Sequence, residues 1–118
     1  VPEDTFRTAI RSLLGYLQSA DVIVAEVGAS PLEPYNGAAA VDLIDDQVAF
    51  TVLCASDPYA VVGIEDAFGR SPDLVAGIAT NTSAGIDLVE QLTGYPALNL
   101  QLEEAKEPLE DMLLTALE

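Results

Sequence analysis

Six residues carry the chemistry this chain can be expected to do: Glu26, Ser30, Tyr35, Asn36, Asp57 and Asn81. Each stands just beyond a short apolar run, in a cluster of small or polar residues that leads into a helix-like stretch. Glu26 ends the run 22–25, Val-Ile-Val-Ala. An acid at the end of a central strand is costly unless it is paired or exposed. There it can hold Mg²⁺ through water, act as a general base, or accept hydrogen bonds from loop N–H groups as a purely structural acid. The loop 27–36 that follows has two prolines, Tyr35 and Glu33, and is longer than the ~2–6 residues usual between strand and helix. Asp57 and the cluster 80–83, with Asn81, stand at helix N-termini that could help hold a ligand, but for Asp57 and Ser83 ordinary helix capping is the favoured reading. The chain has no histidine, so neither a serine–histidine nor a cysteine–histidine pair can be built, and no catalytic residue is assigned.

The elements that must position these residues follow from periodicity. Phe6, Ala9, Ile10, Leu13, Leu14 and Leu17 form a helical stripe, predicting a helix over 4–19 capped by Asp4, with Arg7 and Arg11 facing solvent. Apolar runs predict strands at 22–26, 48–55, 74–79 and 95–100. Helices are predicted at 37–45, from Pro58 to about Phe68, at 83–93, and from about Glu107–Pro108 onward. Asp57 before Pro58 is a favoured helix start, and Gly69 and Gly94 are natural helix stops. Strict alternation of helix and strand implies one three-layer αβα domain, α/β in class, with a parallel sheet of about four strands. In such a sheet the loops after strands one, two and three emerge on one edge. That would gather all six residues into one cleft.

The 118 residues carry twenty acids against four bases, a net charge of −16. This charge repels nucleic acid and anionic lipid. The acids are scattered, as on a solvated surface, which suits either a high-salt milieu or simply a soluble acidic domain. No run approaches the ~20 apolar residues that cross a bilayer, and no secretory leader pattern is present, so no membrane partner and a cytoplasmic location are expected. Cys54, the single cysteine, lies in an apolar run and reads as a small buried core residue. Neither G-x-x-x-x-G-K-[ST] nor G-x-G-x-x-G occurs.

The segments VIVAEVGASPLEPYNG, VLCASDPYAVVGIEDAFG and PDLVAGIATNTSAGIDLVEQLTGYPAL resemble the carboxyl-terminal part of P-loop nucleotide-binding proteins. The nearest likeness is to DUF1611-like proteins, and a more distant one is to dethiobiotin synthetase and cobyrinate amidase domains. The resemblance covers about residues 1–101. It implies that Glu26 stands near Mg²⁺ and phosphate, that Asn81 reads the nucleotide base, and that 28–36 faces the substrate. It also implies a C-terminal fragment of a longer nucleotide-binding protein. Mg²⁺ and a nucleotide would then serve the whole protein, and this chain alone would not hydrolyse ATP, because the phosphate-binding loop is missing. Expected partners are a small-molecule ligand and either an upstream domain or further copies of the chain. The alternative is a non-enzymatic protein-interaction module on an α/β scaffold.

Overall fold

Helices dominate the computed structural model, which describes residues 1–28 and 30–118. The chain divides into two compact units, Val1–Val48 and Ala49–Glu118.

The first unit holds α1 (Glu3–Leu17) and α2 (Gly37–Ile44), which pack on each other. Of the apolar stripe on α1, Phe6, Ile10 and Leu14 are half-buried, whereas Leu13 and Leu17 remain exposed. Asp4 does not cap this helix: Pro2 holds the cap position, and Asp4 lies inside the first turn. Arg7 is not simply turned to solvent. Its guanidinium donates to Glu3 Oε1 at 2.7 Å and to Asp42 Oδ2 at 3.1 Å, tying α1 to α2. The two carboxylates, Glu3 foremost, raise its already high pKa further. Between the helices, residues 22–26 form no strand among the described residues. Val24 is 93% exposed and Val22 54%. The run has strand composition, but strand composition does not supply a partner edge, and the ladder exists only between two edges.

The second unit contains the sheet. It has two parallel strands, β1 (Val52–Cys54) and β2 (Leu74–Ala76), with Leu53 opposite Val75. The expected four-strand, three-layer αβα arrangement is therefore incorrect. The fourth expected strand is reduced to one parallel bridge between Val75 and Ala97, made by Val75 N–H to the Pro96 carbonyl and Leu98 N–H to the Val75 carbonyl. The expected strand at 74–79 stops at Ala76, because Gly77 turns the chain into a 3₁₀ turn, Ile78–Thr80. The β2 residues are fully buried, as a central strand covered on both faces requires.

Two helices of this unit follow the expected local signals closely. In α3 (Pro58–Phe68), Asp57 accepts from the N–H groups of Tyr59 and Ala60, and Gly69 ends the helix in the left-handed region. In α4 (Ser83–Thr93), Thr82 accepts from Gly85 N–H, and Gly94 ends the helix in the same way. α3 and α4 pack together, and the core joins Ala55, Val61, Val75, Ala79, Val89 and Ala97. α5 (Lys106–Ala116) buries none of its side chains fully.

Candidate functional site

A cleft of about 290 Å³ opens at the carboxyl ends of β1 and β2. One side is built from the strand ends and the turn after β2: Cys54, Ala76, Gly77 and Ile78. Asn81 follows from the end of the 3₁₀ turn, and Asn99, Leu100 and Gln101 complete the lining. This is where open parallel sheets place ligands.

Gly77 makes the turn possible. Its φ of 87° with ψ of −159° lies in a region essentially reserved for glycine. A Cβ there would stand 2.9 Å from the Ala55 carbonyl oxygen and 3.0 Å from its nitrogen. That close approach lets Ala79 N–H reach the Ala55 carbonyl at 3.0 Å, while Ala55 N–H reaches the Ala76 carbonyl at 3.0 Å. Thr80, fully buried, has its hydroxyl 2.8 Å from the Leu98 carbonyl and 3.1 Å from the Gly77 carbonyl. One buried hydroxyl thus joins the turn after β2 to the segment that carries Asn99. A close fit at the foot of α4 holds the same turn, since a Cβ on Gly85 would strike the Ala79 carbonyl oxygen.

Asn99 is held at both ends of its amide. Its Nδ2 donates to the Asn81 carbonyl at 3.4 Å, and its Oδ1 accepts from Gln101 N–H at 3.1 Å. The two partners require the same orientation of the amide, a carbonyl facing the nitrogen and an N–H facing the oxygen. Among the described residues, no charged side chain lines the cleft, although the chain carries −16 overall.

Of the six residues expected at one site, Asn81 lines this cleft. Asp57 does not; its carboxylate caps α3. Oδ1 accepts from Tyr59 and Ala60 N–H at 2.9 and 3.0 Å, and Oδ2 accepts from the Ser56 hydroxyl at 3.0 Å. These bonds, Ala60 N–H first and then the Ser56 hydroxyl, hold its carboxyl below the usual carboxylate range. The other four belong to the first unit. Ser30 N–H donates to Glu33 Oε2 at 2.8 Å, and Leu32 N–H donates to the Ser30 hydroxyl at 3.2 Å, a local turn. Asn36 is the only non-glycine residue with positive φ among those described, and its amide donates to the Val1 carbonyl at 3.1 Å. Tyr35 and Glu26 are exposed. Ala29, within the loop 27–36, lies outside the described residues. Among the described residues, no group of three or more His, Cys, Asp or Glu side chains is gathered as for a metal ion.

Cys54, Asn99 and Gln101 were not among the expected site residues. Cys54 is exposed, correcting its reading as a core residue. Strand alternation offered the missed signal: Leu53 packs against the core, so its neighbour points the other way. Asn99 gave a weaker signal, as a polar residue within the expected strand 95–100. No helix of the described residues is long and apolar enough to cross a membrane. No family model, curated protein or solved structure matches the chain.

Proposed function

We propose that residues 49–118 form a small-ligand-binding module whose ligand sits in the cleft between Gly77 and Asn99. The observation that carries this reading is a neutral, amide-bearing cleft at the carboxyl ends of two parallel strands, in a chain that is strongly acidic elsewhere. Ile78 and Leu100 supply apolar surface, and Asn81, Asn99 and Gln101 supply hydrogen-bonding amides, the usual mixture in small-molecule sites. A nucleotide would place its base here. Its phosphates and Mg²⁺ would find neither cationic side chains nor carboxylates in this lining, so the neutral end of the ligand is the part recognised.

The test is titration of the ¹⁵N-labelled chain with adenosine and uridine, and with the corresponding monophosphates. The amides of Gly77, Ile78, Asn81 and Gln101 should shift with the nucleosides at least as strongly as with the monophosphates. Absence of shifts at these four amides with the nucleosides, the monophosphates and neutral carboxamides alike would refute the reading. The second reading, a protein-interaction module, draws support from the exposed Val22, Ile23, Val24 and Val27, because an exposed apolar run of strand composition can pair with the strand edge of a partner.

A further inference from the structure

We infer that Asn99 is the specificity residue of this cleft and reads a carboxamide-like edge, an N–H donor beside a C=O acceptor, on a neutral ligand. The inference rests on the ligand-binding reading above and adds the chemical class of the ligand. A side-chain amide offers two N–H donors and two acceptor lone pairs. On Asn99, one donor is engaged by the Asn81 carbonyl and one lone pair by Gln101 N–H. One donor and one acceptor remain, on a half-buried side chain in the wall of the cleft. Because the two engaged groups fix which end is nitrogen and which is oxygen, the remaining pair cannot exchange places by an amide flip.

A fixed donor–acceptor pair is complementary to a primary carboxamide or a lactam, which can meet it with two hydrogen bonds. An ester of the same shape has no N–H, and leaves the Asn99 acceptor without a partner in a site partly shielded from water. Unpaired polar groups of that kind are how hydrogen-bonding sites reject close analogues. Ile78 and Leu100 share the lining with Asn99 and offer apolar surface to the body of such a ligand. The neutral walls exert no pull on a phosphate or carboxylate, and the acidic chain around them repels both.

Nicotinamide and methyl nicotinate make the comparison, since they share the ring and differ in amide against ester. Titrations into the whole chain are followed at the amides of Gly77, Ile78, Asn81 and Gln101. Nicotinamide should bind about tenfold more tightly than the ester. Asn99→Ala should abolish that preference while leaving the amide spectrum of α3 and α4 unchanged. If Asn99→Ala disturbs that spectrum, Asn99→Ser, whose shorter side chain can still accept from Gln101 N–H in the local turn but carries no amide to present to the ligand, takes its place and should also lose the preference. Equal binding of the two compounds, or a preference retained in the variant, overturns the role of Asn99 while the cleft stands as a ligand site. Binding of neither compound at those four amides overturns the carboxamide reading; if the nucleosides shift those amides, the ligand-binding reading survives alone.

Discussion

Replacing Gly77 with alanine tests whether the turn after β2 organises the cleft. The backbone at Gly77 lies in a glycine-only region, and holding any other residue there costs about 1–3 kcal/mol. The added methyl would also meet backbone rather than flexible side-chain atoms: Ala55 O at 2.9 Å, Ala55 N at 3.0 Å and the Cys54 carbonyl carbon at 3.2 Å. Relief requires the turn to move away from β1, stretching the bond from Ala79 N–H to the Ala55 carbonyl. Losing that bond adds about 0.5–1.5 kcal/mol. The sum is about 1.5–4.5 kcal/mol, a large fraction of a small domain's ~5–15 kcal/mol. Urea unfolding followed by circular dichroism measures it. Gly63→Ala is the control: Gly63 sits within α3, a Cβ there meets nothing within 4 Å, and alanine in a helix interior is favoured by about 0.5–1 kcal/mol. Gly77→Ala should lower the midpoint clearly, and Gly63→Ala should hold or raise it. A Gly77→Ala midpoint within error of the parent chain would refute both the turn geometry and its place under the cleft.

Thr80→Val keeps the shape but removes the buried hydroxyl and leaves the Leu98 carbonyl without it. The expected loss is about 1–3 kcal/mol by urea unfolding, together with shifts at Asn99 and Gln101; an unperturbed midpoint would contradict the link between the turn and that segment. Asp57 has its carboxyl pKa lowered in the folded chain, by Ala60 N–H first and then by the Ser56 hydroxyl. The stability it contributes is therefore present above its unfolded pKa of about 3.9 and is lost as pH falls through the lower folded value. Asp57→Ala should melt below the parent chain at neutral pH, with the gap narrowing below about pH 4; a gap independent of pH would count against the capping bonds.

The sequence by itself determined the helices and most of their ends. A helix bonds residue to residue four positions away, so Asp57–Pro58 at a start and Gly69 or Gly94 at a stop act through neighbours that the sequence places beside them. The same locality made the polar cluster 80–83 legible as the segment between a strand end and a helix start, and Asn81 is among the residues lining the cleft. Pairing was not local. Residues 22–26 and 95–100 have the composition of strands, yet one forms no ladder and the other a single bridge, because a strand exists only if a remote edge accepts its N–H and C=O groups. Tertiary structure alone carried Asn99 and Gln101 to the strand ends through Thr80 and the bridge at Ala97, and decided which face of β1 the core covers, leaving Cys54 exposed. A side chain's type is written in the chain, but which remote groups share its space is decided only when the backbone closes around it.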